Sequence, residues 1–201
     1  MFTEGHVEVD GVQVRYMEAG QGKLLVHVRE ADGLASTPAD DLLARQFRVI
    51  ALEVPGRGPT LERVVKRLGL ADFDLMATAD ASAEAISLAL AEPERVRALV
   101  LESPTAIRRD GSEPRDGDLE RRLPELATST LVLFGTADRA GAQETGRVYT
   151  ALIPNSHLVF VYDAAAAIGR DRPEAFAEVV ADFLERHEAF IISRTPTVIH
   201  P

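Results

Sequence analysis

Apolar and polar residues alternate at the start of the chain: Val7 and Val9, then Val12, Val14 and Tyr16. A period of two is the signature of half-buried strands. Asp10-Gly11 lies between the two runs, and both residue types accept the positive φ of a tight turn, so the pattern predicts a hairpin. From Leu24 onward the pattern changes. Short, nearly continuous apolar runs recur at Leu24-Leu25-Val26 (continuing into His27-Val28) and over 47–53, 73–77, 96–101, 130–134 and 157–162. Such runs suit strands buried on both faces. Between them, helical spacing predicts helices over 39–46, 60–68, 80–91, 119–126 and 143–152. In the last helix Phe176, Val179, Val180, Phe183 and Leu184 make one apolar face, and 193–201 reads as an irregular tail.

An opening hairpin followed by alternating strands and helices implies an α/β domain with a mostly parallel sheet of about eight strands and helices on both faces. No repeat or linker divides residues 1–201, so a single domain is expected. Crevices in such sheets open beyond the carboxyl ends of the strands, so the residues just after each strand carry the interest.

Composition narrows the chemistry. The net charge is −10, from 32 acids against 22 bases, which disfavours a nucleic-acid partner. Aromatic residues are only 5% and Trp is absent, leaving little for base or sugar stacking. Cysteine is absent, which removes disulfides and thiol chemistry. No run reaches the roughly 18 apolar residues of a membrane span, and the first residues lack a signal-peptide pattern, so no membrane association and a cytoplasmic location are expected.

Several stretches, in order, resemble the α/β-hydrolase fold superfamily. Gly11-Val12-Gln13-Val14-Arg15-Tyr16-Met17-Glu18-Ala19-Gly20 resembles its opening hairpin. Arg48 to Gly58, ending Pro55-Gly56-Arg57-Gly58, resembles its fourth strand and following loop. Glu92-Pro93-Glu94-Arg95-Val96-Arg97-Ala98-Leu99-Val100-Leu101 resembles the approach to its sixth strand, and Thr130-Leu131-Val132-Leu133-Phe134-Gly135-Thr136-Ala137-Asp138 the strand that presents the acid. The resemblance implies that fold, without a cap domain, because fewer than thirty residues separate Leu101 from Thr130.

The chemistry associated with that fold uses a serine on a tight strand-to-helix turn, G-x-S-x-G, a histidine that takes its proton and an acid that orients the histidine. By the resemblance, the elbow here is Ala77-Thr78-Ala79-Asp80-Ala81, with alanine at all three defining positions. The acid position keeps Asp138, and the histidine position falls on Ala166 in Asp163-Ala164-Ala165-Ala166-Ala167. The usually Gly-rich oxyanion loop reads Val28-Arg29-Glu30. The expectation is a degenerate triad at Ala79, Asp138 and Ala166, and a pseudoenzyme with a binding, scaffolding or regulatory role. The alternatives are non-serine chemistry through His27, Asp138 and Arg29, or a hydrolase of unknown substrate.

Candidate ligand-site residues are His27, Val28, Arg29, Asp80, Ser103 and Asp138. For each a bland role competes: His27 as a structural residue, Asp138 as a turn residue or a partner of Arg29 or Arg139, Asp80 as a helix cap. His27, Asp80 and Asp138 show no metal-ligand spacing, so no metal and no cofactor are expected. Among the serines, Ser82 and Ser103 lie nearest the crevice without an evident base. His157 is expected at the wrong edge of the sheet, His187 on the last helix, and Arg108-Arg109 and Arg121-Arg122 on the surface. The partner is unknown; a homodimer or an active paralogue fits the scaffolding role. At Ala79, either a relaxed turn or inherited strain is expected.

Overall fold

The computed structural model describes residues 1–29, 34–53, 60–107, 117–139 and 141–190. The strands are β1 (Thr3–Val9), β2 (Val12–Ala19), β3 (Leu24–Arg29), β4 (Arg48–Glu53), β5 (Phe73–Thr78), β6 (Val96–Glu102), β7 (Ser129–Gly135) and β8 (Ser156–Val161). The helices are α1 (Pro38–Leu43), α2 (Leu61–Arg67), α3 (Ser82–Ala91), α4 (Gly117–Arg122), α5 (Ala142–Leu152), α6 (Ile168–Asp171) and α7 (Pro173–Arg186). The short α6 has no counterpart in the sequence pattern, because four residues hold barely one helical turn.

The eight strands form one sheet in the order β1-β2-β4-β3-β5-β6-β7-β8. β1 and β2 pair antiparallel through the predicted hairpin, with φ +53° at Asp10 and +77° at Gly11. β2 runs antiparallel to β4, and every later pair is parallel.

Consecutive strand residues point to opposite faces, and the core divides accordingly. Val26, Val28, Leu75, Leu101 and Phe134 face α2, α3 and α5. Leu25, Met76, Val100, Leu131 and Leu133 face α1, α6 and α7, where Phe176, Val180, Phe183 and Leu184 supply the predicted apolar stripe. The described part of the β6–β7 connection holds only α4 and one 3-10 turn, Leu123–Glu125. No cap domain is built there.

Candidate crevice at the carboxyl edge of the sheet

β5 ends at Thr78, and the chain turns at Ala79 with φ +50° before the 3-10 turn Ala79–Ala81 leads into α3. A left-handed conformation is strained for a residue with a Cβ. The strain expected of an elbow is therefore present although residue 79 has only a methyl group. The neighbouring connections behave alike: Ser103 after β6 has φ +43°, and Asp163 after β8 has φ +54°.

The turn is braced by the segment after β6. The Ala79 carbonyl accepts the Thr105 N–H at 3.3 Å, and Ser82 Oγ accepts the N–H groups of Thr105 and Ala106, each at 3.3 Å. Asp80 accepts the Thr105 hydroxyl. The cap role expected for Asp80 is thus corrected: α3 begins at Ser82 without a side-chain cap, and the carboxylate is turned to Thr105 instead. Ser82 is fully buried in this bracing, whereas the buried Ser103 Oγ meets no hydrogen-bond partner.

Beyond β7, Asp138 Oδ1 accepts the Arg139 N–H at 2.6 Å, with the Arg139 guanidinium at 3.5 Å. This is the turn role, with Arg139 and not Arg29 as the cationic neighbour. Its other oxygen, Oδ2, is buried with no hydrogen-bond partner. Asp138, Arg139, Thr136 and Arg147 border a cavity of about 390 Å³. The loop after β8 is pressed onto this turn: the Ala137 N–H bonds the Ala164 carbonyl at 2.9 Å. Ala165 and Ala166 are exposed. Arg139 also reaches the Pro104 carbonyl at 3.2 Å. Ala79, Asp138 and the alanine loop are therefore joined by a short run of contacts through Thr105, Pro104, Arg139 and Ala137.

His27 and Arg29 belong to a different group, under the sheet on the α1 and α6 side. His27 Nδ1 lies 2.8 Å from Asp40 Oδ1, and Nε2 lies 3.0 Å from Thr78 Oγ1. Thr78 Oγ1 is 3.1 Å from Glu102 Oε2, and Glu102 Oε1 accepts the Gly169 N–H at 2.8 Å. Arg29 bonds Asp40 Oδ2, which also accepts the Thr37 N–H at 2.6 Å and the Thr37 hydroxyl at 2.8 Å. The trio His27, Arg29 and Asp138 expected for non-serine chemistry is not assembled, because Asp40 claims both bases. Val28 is likewise corrected: its side chain lies wholly in the core and lines no crevice.

Burial disfavours the charged form of His27, Arg29 presses the same way, and together they hold its pKa below the ordinary value despite Asp40. Burial works against Asp40 ionising, yet His27, Arg29 and Thr37 hold its carboxyl well below the usual carboxylate range. The His27–Asp40 contact is therefore a hydrogen bond from a neutral imidazole to a carboxylate. Burial pushes Glu102 up to about 7, against the opposing pull of Gly169, Thr78 and Arg29.

Asp40, Thr37, Thr78 and Glu102 carry this group and were not among the candidates. Thr37-Pro38-Ala39-Asp40 is a capping-box pattern with proline at the first helical position, and both halves of the box form. That signal was available in the sequence. The acid closing the apolar run of β6 was a weaker one.

His157, the second residue of β8, lies at the opposite edge, as expected, and packs edge-on against Phe183 and Phe190. His187 follows α7 instead of lying on it, with φ +47°. Among the described residues no group of three or more His, Asp or Glu side chains is arranged to hold a metal. None of their helices is long and apolar enough to cross a membrane. Glu30, the loop Pro55-Gly56-Arg57-Gly58, Arg108-Arg109, Ser112, Ser193, His200 and the tail lie outside the described residues.

No family model matches the chain. Over 72 residues it is 33% identical to the uncharacterized hydrolase YugF of Bacillus subtilis, a match covering 35% of this chain and 26% of that protein. The chain thus spans about a quarter of that curated relative's length. Among solved structures, carboxylesterase CesB of Bacillus subtilis superposes with a TM-score of 0.76 at 16% identity, over 92% of each chain. The predicted CIB-like hydrolase of Thermoplasma acidophilum does so with a TM-score of 0.74 at 18% identity, over 92% of this chain and 98% of that one.

Proposed function

We propose that this chain, which has the α/β-hydrolase fold, does not hydrolyse esters through its elbow, and that its crevice serves binding. The carrying observation is the elbow itself. Ala79 occupies the strained turn with a methyl group, so no acyl-enzyme forms at that position. Two further features support the reading. Asp138 Oδ2 has no hydrogen-bond partner among the described residues. The neighbouring loop carries exposed alanines, Ala165 and Ala166, where the resemblance places the histidine.

The exposed polar groups around the cavity beside Asp138, among them Thr136 and Arg147, suit a polar ligand. The cavity beside Asp138 is open and small, which suits a ligand or a partner's side chain more than a large acyl substrate.

The test is labelling of the purified chain with a fluorophosphonate, alongside turnover of short acyl esters. The expected result is neither labelling nor turnover. Labelling that disappears in Ser103→Ala or Ser82→Ala would overturn the reading and identify a hydrolase with a displaced nucleophile. The double variant Ala79→Ser, Ala166→His is expected to regain at most a trace of esterase activity, because the elbow glycines and the Gly-rich oxyanion loop are also missing.

A further inference from the structure

The buried row Asp40–His27–Thr78–Glu102–Gly169 crosses three strands and links α1 to α6. Its protons can be counted. Asp40 is ionised and can only accept, so His27 carries its proton on Nδ1. Arg29 Nε and Nη2 also approach Nδ1, at 3.4 and 3.2 Å, because Arg29 shares the Asp40 carboxylate; the shorter 2.8 Å contact to the ionised Asp40 Oδ1 decides the tautomer. Nε2 is then a bare acceptor facing Thr78 Oγ1. On the other side of that hydroxyl stands Glu102 Oε2, and Glu102 Oε1 already accepts from Gly169. One hydroxyl proton cannot serve two acceptors.

We propose that Thr78 is a two-way proton switch under the elbow, set by whether Glu102 carries a proton. With Glu102 protonated, its O–H donates to Thr78, Thr78 donates to His27 Nε2, and every member of the row is satisfied. With Glu102 ionised, the Thr78 hydroxyl turns to the carboxylate and His27 Nε2 loses its donor. No covalent bond other than O–H changes, and the proton leaving Glu102 passes to solvent.

The groups facing Glu102 are few. Among the described residues, β3 supplies Arg29, α1 supplies Asp40, β5 supplies Thr78 with His27 behind it, and α6 supplies the Gly169 N–H. Arg29 favours the carboxylate and Asp40 opposes it. Burial holds the titration near neutrality, at about 7. Thr78 immediately precedes Ala79, and Gly169 follows the alanine loop, so one titration reaches both rims of the crevice. The inference does not depend on whether the crevice binds a ligand.

The experiment is NMR of the full chain from about pH 5 to 9, following the Glu102 side-chain carboxyl, His27 Nε2 and the amides of Ala79 and Gly169. The expected result is one shared inflection near pH 7, with Nδ1 protonated throughout. In Glu102→Gln, whose amide group donates permanently to Thr78, the inflection should vanish from His27, Ala79 and Gly169. In Thr78→Val, Glu102 should still titrate while His27 Nε2 no longer follows it. Separate inflections for Glu102 and His27 in the unaltered chain would overturn the switch. So would the absence of any inflection in that range, or persistence of the shared inflection in Glu102→Gln. Should either variant fail to fold, shared against separate inflections in the unaltered chain still decide between the switch and independent titrations.

Discussion

Ala79 holds φ +50° with only a methyl group as its side chain. The cause is geometric: β5 is enclosed by β3 and β6, and the chain must leave the sheet edge sharply for α3 to pack back against it. Ser103 after β6 and Asp163 after β8 adopt the same left-handed conformation, so such turns recur where strands leave this sheet. Glycine relieves the clash of the Cβ in this conformation, against some loss of unfolded-state order. Ala79→Gly is therefore expected to stabilise the protein by roughly 0.5 kcal/mol, read as a higher urea midpoint with an unchanged slope. A destabilised variant would mean that the Ala79 methyl makes contacts worth more than the strain.

At the scale of elements, the crevice depends on how closely the loops after β7 and β8 approach. Gly135 makes that approach possible. A Cβ there would sit 2.0 Å from the Ala164 carbonyl oxygen and 2.4 Å from that of Ala165. These are backbone atoms, so no side chain can swing aside. Gly135→Ala is expected to cost about 3 kcal/mol and to separate the alanine loop from the Asp138 turn. Denaturant unfolding checks the cost, and amide exchange at Ala137, whose N–H bonds Ala164, checks the separation. The capping box of α1 shows a second kind of economy. The Asp40 carboxylate accepts the Thr37 backbone N–H at the start of that helix and at the same time orients His27 and Arg29.

For the whole molecule, two buried acids set opposite pH dependences. Asp40 has a depressed folded pKa, so its contribution is present above the ordinary carboxylate range and is lost as pH falls through the folded value. Glu102 is raised from 4.5 to about 7. Its contribution is complete below the unfolded value and is lost as pH rises through the folded one. The window for Glu102 runs from about 4.5 to about 7, and the loss across it is on the order of 3 kcal/mol. Stability should therefore peak at about pH 4, just below the start of that window. Glu102→Gln should flatten the decline above about pH 5, as measured by thermal midpoints from about pH 4 to 8. A decline of equal size in the variant would assign the pH dependence to other groups.

Alternation around Asp10-Gly11, the apolar runs and the stripe on α7 were enough to place the hairpin, the parallel sheet and the layers of helices. These depend on periodicity, which is a local property of the chain. The alanines at 79 and 166 were equally legible, since the absence of a hydroxyl or an imidazole from a side chain is a matter of identity. What the sequence could not determine was which partner each polar residue takes. His27 stands 13 residues from Asp40 and 51 from Thr78, and Thr78 stands a further 24 from Glu102; only the order in which strands pair brings them into one row. The alternative that joined Asp138 to His27 and Arg29 is not realised, because those two lie beneath the sheet with Asp40, strand residues projecting alternately to its two faces. Burial then decides which of the acids keep their protons. It follows from packing across the whole fold, and no stretch of sequence carries it.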